Sequence, residues 1–350
     1  MSEKVTAIKV DLKDIQSARQ CIMEHDLSHP DYSMAKKEGI AYLPIKKDVS
    51  SSMFENMDVE IVQSDPEMFP SDKRPPTVKE ILQDRLTSQE MEYLKTSFDT
   101  IGTIAIIEID PELEAKEKII GQAILQAVPA IETVVKKIGR HQGEFRTQKV
   151  AVIAGEDTKE AVYKENGITL KLNVEEVYFS PRLSTERKRI SQLVEEGERI
   201  LVMFSGCAPY PCVLAKNTEA EHITGVEINP VGHRYGEENV RRNNISNVTL
   251  HNGDVRDVVP TLEQTYDRIL MPLPKSAEDF LDIALGAARK GTIIHMYDFL
   301  NEEEFHLAHE KIAKACTKAG KEFTILDTIK CGQHAPHVFR LCVDFRIESN

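Results

Sequence analysis

The strand-like run Arg199–Phe204 (RILVMF) leads into a turn of small residues, Ser205-Gly206-Cys207-Ala208-Pro209. Such a turn lets backbone approach a ligand at the carboxyl edge of an open α/β sheet. The next strand-like run ends in Glu227, twenty-one residues beyond Gly206. An acid about 20 residues on is spaced to accept hydrogen bonds from a ribose. A third run is followed by Gly253-Asp254, where a second carboxylate would meet an adenine or its amino group. Each feature has a plainer alternative: Gly206 as a mere tight turn, Glu227 as a cap for the helix opening at Asn229-Pro230. Together, at three successive strand ends, they favour a nucleoside-containing cofactor. Gly-Cys-Ala-Pro lacks the G-x-G-x-x-G turn that packs a helix against pyrophosphate, which disfavours dinucleotides. S-adenosylmethionine carries no phosphate and needs no such loop.

A second group of residues concerns charge. Glu186 opens a helix whose apolar positions Ile190, Leu193 and Val194 follow four, seven and eight residues on, so it is expected on the inward stripe. The alternative is a first-turn acid that complements the helix dipole behind a Ser184 or Thr185 cap. Lys136, Lys137, Arg140, Arg146 and Lys149 stand against Glu144 alone, and Arg182, Arg187, Lys188 and Arg189 against Glu186. The whole chain has 44 Lys and Arg against 57 Asp and Glu, a net charge of −13, which argues against a uniformly basic nucleic-acid binder. Local islands on such a body suit a phosphate backbone, with Arg241 and Arg242 as additions; the alternative is a set of solvated faces.

The elements that would position these groups change character along the chain. Residues 1–64 alternate short apolar and polar runs and read as a small α/β module. The segment Asp65–Thr77 carries Pro66, Pro70, Pro75 and Pro76 and reads as a linker. Residues 78–176 read as an α+β middle domain: a helix over Val78–Leu86, a buried strand over Thr103–Ile109, and a long helical stretch over Glu112–Lys137, interrupted near Pro129. Strands and turns follow from Val150 to Val177, with Asn166-Gly167 as a hairpin turn. From 177 to 350 strand-like and helical runs alternate, which implies a mostly parallel sheet with helices on both faces. Helices are expected over Val231–Asn243, Ala277–Arg289 and Glu302–Lys318, and an antiparallel edge strand over His337–Ile347.

Several classes are excluded. Hydrophobic residues at 41% and charged residues at 29% describe an ordinary globular chain. No apolar run approaches the ~18 residues of a membrane span, and the charged start MSEKVTAIKV does not read as a secretory leader, so a cytoplasmic protein is expected. Six cysteines without a C-x-x-C pair are no disulfide scaffold. Cys207 and Cys212 read as packing residues. Cys331, His334 and His337 lack a fourth ligand, so no metal is expected.

Read in order, Glu144-Phe145-Arg146, the string Val177-Tyr178-Phe179-Ser180-Pro181-Arg182-Leu183-Ser184-Thr185-Glu186-Arg187, Phe204–Pro209, Glu227-Ile228-Asn229-Pro230 and Pro272-Leu273-Pro274-Lys275 resemble the archaeal and eukaryotic type of tRNA (guanine-37, N1) methyltransferase. The likeness runs from about Phe98 to the end and more faintly into the first module. It implies an α/β chain with a class I, Rossmann-like methyltransferase domain at its C-terminal end. It also implies S-adenosylmethionine as cofactor and tRNA as partner, with no DNA or membrane partner and a monomeric state.

The resemblance places the general base on Glu186, the O6-stabilising arginine on Arg146, and supporting positions on Tyr178, Arg182 and Pro274. It places the cofactor on Phe204, Gly206, Ala208, Pro209, Glu227, Asp254 and Pro272. RNA would lie on Lys136, Lys137, Arg140, Lys149, Arg187 and Lys188. Such chemistry is self-consistent, because guanine N1 is a poor nucleophile until a base removes its proton and positive charge steadies O6. Departures are Pro272 where an asparagine is common, Val202 where an acid is, and Ala208 in place of a glycine. They keep two alternatives in view: an aminocarboxypropyl transferase of the wyosine pathway, or a non-catalytic RNA-binding relative.

Overall fold

The computed structural model describes residues 4–46, 49–50, 53–54, 57–70, 75–139, 143, 145–273 and 275–349, His334 by its backbone alone. It forms two compact units, Met1–Pro76 and Thr77–Asn350. In the first, β1 (Val5–Asp11), α1 (Ile15–Glu24), β2 (Ala35–Lys37), β3 (Ile40–Pro44) and β4 (Val59–Ser64) build an antiparallel sheet in the order β2-β3-β1-β4. Successive side chains of a strand point to opposite faces. Ile8 and Val10 therefore pack with Ala18 and Ile22 of α1, while Val5 and Ala7 pack with Ala35 and Phe69.

The second unit opens with two short helices, α2 (Val78–Leu82) and α3 (Ser88–Tyr93), each started by a reciprocal Thr–Glu capping box. Strands β5 (Asp99–Ile101), β6 (Ile104–Ile107), β7 (Thr133–Lys137) and β8 (Val150–Gly155) form a sheet, with α4 (Glu117–Ala127) crossing between the parallel pair β6 and β7. The helix expected to reach Lys137 thus stops at Ala127. The run Thr133–Lys137 is a strand, because its valines pair with β6 and β8 and are buried there. Next comes the hairpin of β9 (Glu160–Glu165) and β10 (Ile168–Asn173), turning at Asn166-Gly167 as the sequence indicates.

Beyond it lie α5 (Ser184–Leu193), β11 (Arg199–Met203), α6 (Pro209–Asn217), β12 (His222–Glu227), α7 (Pro230–Arg242) and β13 (Val248–Asn252). They are followed by α8 (Val255–Thr261), β14 (Tyr266–Met271), α9 (Leu281–Gly286), β15 (Ala288–Asn301), α10 (His306–Ala319), β16 (Phe323–Ala335) and β17 (Val338–Ile347). The seven strands order as β13-β12-β11-β14-β15-β17-β16. Pairings are parallel from β13 through β15, and β17 runs antiparallel to both β15 and β16. The last strand is therefore internal, and β16 is the edge. The helix expected to run to Arg289 ends at Gly286, since Ala288 already pairs with Tyr266. Strand order reverses between β11 and β14, the switch point at which open α/β sheets bind ligands.

One buried side chain ties the hairpin to that point. Asn239, fully buried on α7, accepts from the Lys171 amide at 2.7 Å and donates to the carbonyls of Lys171 and Cys207, each at 3.0 Å. An unsatisfied buried polar group costs about 1–3 kcal/mol. Asn239→Leu is thus expected to lower unfolding stability by roughly 2–4 kcal/mol, read from the midpoint of denaturant unfolding.

Candidate active site

A cleft of about 440 Å³ opens at the switch point, lined by Arg146, Tyr178, Phe204, Gly206, Pro209, Glu227, Asp254 and Pro272 among others. The turn after β11 owes its shape to three positive-φ residues in five: Phe204 (59°), Gly206 (56°) and Ala208 (63°). A left-handed non-glycine residue costs roughly 1–2 kcal/mol, so this strained geometry is held by its surroundings. Pro209 at the first turn of α6 supplies a φ already suited to a helix start. Ala208 itself is fully buried and faces away from the cleft wall. Val202 is likewise buried in the sheet core.

Glu227 joins two strand ends. Its Oε2 accepts from the Gly206 amide at 2.6 Å and its Oε1 from the Asn229 amide at 2.8 Å. Burial raises its pKa, and the backbone amides of Asn229, Gly206 and Ile228 only partly oppose that. The helix cap is Asn229, whose side chain accepts from the Val231 amide at 3.0 Å; the acid is left facing the cleft. Asp254 caps α8 and is bound by Arg256 at 2.6 Å, and that hydrogen bond is the main reason its pKa is lowered. Phe204 and Phe280 meet edge to face at 4.9 Å, and the Arg256 guanidinium lies 5.2 Å over Phe280. This apolar wall beside two acids suits a nucleoside.

Arg146 and Tyr178 line the same cleft. Arg146 has φ 51° and donates to the Lys275 carbonyl; burial lowers its pKa, with Tyr178 opposing. Arg182 is exposed and pairs with Asp99 at 2.8 Å, outside the cleft lining. Pro274 and Arg140 lie outside the described residues.

Glu186 departs from expectation. It is buried, as the helical stripe indicates, but inward on α5 means toward β15 and β17. Its oxygens accept from Arg189 at 2.7 and 2.8 Å and from the Tyr297 hydroxyl at 2.7 Å, and it does not line the cleft. Neither Ser184 nor Thr185 caps the helix; a 3-10 turn, Pro181–Leu183, leads into it instead. Tyr297 in turn accepts from Tyr210 at 2.9 Å.

The expected RNA surface is also revised. Arg187 is fully buried in a bidentate pair with Glu165, at 2.5 and 2.7 Å, with Phe179 and Tyr210 rings beside it. Lys136 and Lys137 are matched by Glu117 and Glu108. Lys149 and Lys188 are exposed. Phe179, Tyr210, Ile228, Arg256 and Phe280 also line the cleft without having been assigned to it from sequence; Phe179 and Ile228 stand inside the motif strings, which is the one signal that could have found them. Cys207 is a packing residue, its thiol pushed up to about 12 by burial. His295, Cys342 and Asp344 cluster within 4.8 Å, but Asp344 is taken by His295 at 2.6 Å and Arg189 at 2.7 Å. No helix among the described residues is long and apolar enough to cross a membrane.

Comparison with known proteins adds to this geometry. The profile described as TRM5/TYW2 methyltransferase domain matches residues 161–326, and that described as TYW2 N-terminal domain matches residues 78–158. The chain is 36% identical to the Pyrococcus abyssi protein named tRNA (guanine(37)-N(1))-methyltransferase Trm5b, over 97% of this chain and 98% of that one. The crystal structure of wild-type Trm5b from Pyrococcus abyssi superposes with a TM-score of 0.77 at 35% identity, covering 98% and 99% of the two chains. A structure of aTrm5 in complex with tRNALeu superposes with a TM-score of 0.76 at 27% identity, covering 98% and 99%.

Glu227 is expected to make nucleoside affinity pH-dependent. A carboxylate accepts from ribose hydroxyls, and protonation removes that capacity. Because burial raises this pKa, calorimetric affinity for adenosine should fall on acidification already above the ~4.3 of an ordinary glutamate. Glu227→Gln should bind at least tenfold more weakly, by analogy with the ~1.5–3 kcal/mol of a charged hydrogen bond, and show no such pH dependence.

Proposed function

The chain belongs to the TRM5/TYW2 methyltransferase family, and from that premise we propose that it methylates N1 of guanosine 37 in tRNA. The observation that carries the reading is a single cleft lined both by a desolvated carboxylate, Glu227, and by a half-buried guanidinium, Arg146. S-adenosylmethionine, when bound, supplies an electrophilic methyl group. Glu227 would hold its ribose, Ile228 and the Phe204–Phe280 wall its adenine, and the Gly206 turn would let backbone come close. The 440 Å³ of the cleft fits a nucleoside-sized group.

Arg146 and Tyr178 take the target base. Removal of the N1 proton places negative charge on O6, and a fixed guanidinium in a water-poor site stabilises it. The proton acceptor is Glu186. Leu183 and Arg187, four residues apart at the head of α5, both line the cleft, and Glu186 flanks that face. Catalytic hydrogen bonds often form only with substrate in place, so its carboxylate exchanges Arg189 and Tyr297 for the docked base. Lys149 and Lys188 are left as phosphate contacts.

The test is incubation with labelled S-adenosylmethionine and tRNA transcripts carrying guanosine at position 37, with nucleoside mass analysis. Glu186→Gln should reduce single-turnover methylation by roughly 10²–10⁴ with cofactor binding intact. Arg146→Ala should cost about 10²–10³. Undiminished turnover in Glu186→Gln would remove the base assignment, and undiminished turnover in Arg146→Ala the assignment of that arginine to the target base.

A further inference from the structure

The proposed target-base site has a support that the motif strings do not contain. Tyr178 is 37% exposed, yet its hydroxyl accepts a hydrogen bond at 3.1 Å from Nη2 of Arg340, a residue 162 positions later in the chain. Arg340 lies on β17, paired in register with Phe299 of β15. Its guanidinium rests 5.0 Å over the Phe299 ring, and its Nε is buried without a hydrogen-bond partner among the described residues. A guanidinium with one nitrogen left unsatisfied is held by its packing, since a solvated arginine would turn that N–H to water. Tyr178 also stands beside the turn after β11: its carbonyl lies 3.7 Å from where a Cβ on Gly206 would stand.

We propose that Arg340 is a positioning residue for methyl transfer, locking the Tyr178 phenol at the rim of the cleft from the internal strand β17. Two consequences follow from elementary chemistry. A phenol oxygen that accepts from a guanidinium becomes a stronger donor through its own O–H, because successive hydrogen bonds polarise one another. Tyr178 and Arg146 also interact electrostatically, so a locked phenol beside that arginine gives two donors for one developing oxyanion. Lysine cannot replace the fork that spans Phe299 and reaches Tyr178.

The inference rests on Arg146 and Tyr178 marking the target-base site, and the experiment separates the two claims. Steady-state and single-turnover methylation of a guanosine-37 transcript would be measured for Arg340→Lys, Arg340→Met, Tyr178→Phe, the double variant R340M/Y178F, and Arg146→Lys. Arg340→Met should lower kcat about tenfold, less than the ~10²–10³ for loss of a direct donor, and leave KM for tRNA within about twofold. Arg340→Lys should lie near Arg340→Met, and the double variant should be no slower than Tyr178→Phe. Multiplied losses in the double variant, or a rise in KM for tRNA at constant kcat that steepens with salt, would overturn the proposal, the latter making Arg340 a phosphate contact. Full kcat in both Arg340 variants while Arg146→Lys is inactive sinks the positioning role alone; an active Arg146→Lys sinks the reading beneath it. If Arg340→Met fails to fold by its thermal midpoint, Arg340→Lys carries the same decision.

Discussion

The carboxylate of Glu227, withdrawn from water and held by two backbone amides, is the interaction around which the cleft is organised. Its bond to the Gly206 amide closes the ends of β11 and β12 across one another. It also helps fix a turn in which three left-handed residues would otherwise be costly. Remove that acceptor and the Gly206 and Asn229 amides lose their partner together. The same burial that would make the carboxylate a strong acceptor for the proposed ribose makes its ionised state expensive. Affinity and local stability are therefore coupled through a single proton.

Beneath the cleft lies a second layer of charge with a different purpose. Glu186, Arg189, Asp344, His295, Arg268 and Glu198 form one connected chain, from α5 across β17, β15 and β14 to the loop before β11. Burial works to raise the pKa of Asp344, but His295 and Arg189 outweigh it and hold the acid well below the usual range. Burial lowers the pKa of His295, with Asp344 opposing, so its Nδ1–H donates to Asp344 while Nε2 accepts from Arg268. Both shifts have the same sign for stability. The histidine contribution erodes as pH falls below its unfolded value of ~6.5, and the aspartate contribution as pH falls below ~3.9. Removing one partner from a buried pair commonly costs about 3–5 kcal/mol, so this layer fixes the pose of α5 more than it adds net stability.

Much of the architecture was legible because its determinants are local. The alternation of strand and helix after 177, the Asn166-Gly167 hairpin and the Gly206–Glu227 spacing are all read from neighbours within about twenty residues. What failed was non-local. That Thr133–Lys137 is a strand follows from β6 and β8 on either side of it, and that β17 is internal follows from β16 folding back outside it. Charge was the hardest to read. Arg187 looks like an RNA contact only until Glu165, twenty-two residues earlier, is seen to meet it bidentately. Helical periodicity placed Glu186 inward, but periodicity does not say which of two inner surfaces a side chain meets.

That last ambiguity bears on the chemistry. If Glu186 is to reach a docked base, Arg189 must give up one carboxylate, and the cost of doing so depends on what remains to it. Arg189 keeps Asp344, which lies 2.7 Å from its Nη1, and its side chain retains 23% exposure, so the guanidinium is never stranded. Tyr297 keeps Tyr210. Each partner of Glu186 thus holds a second contact, and the exchange avoids the full ~3–5 kcal/mol of an orphaned buried ion. A base clamped by two groups that are each partnered elsewhere can be released by substrate while the sheet beneath it stays satisfied. In the proposed mechanism the buried layer would keep the Glu186 carboxylate shielded between Arg189 and Tyr297 until the cleft is filled.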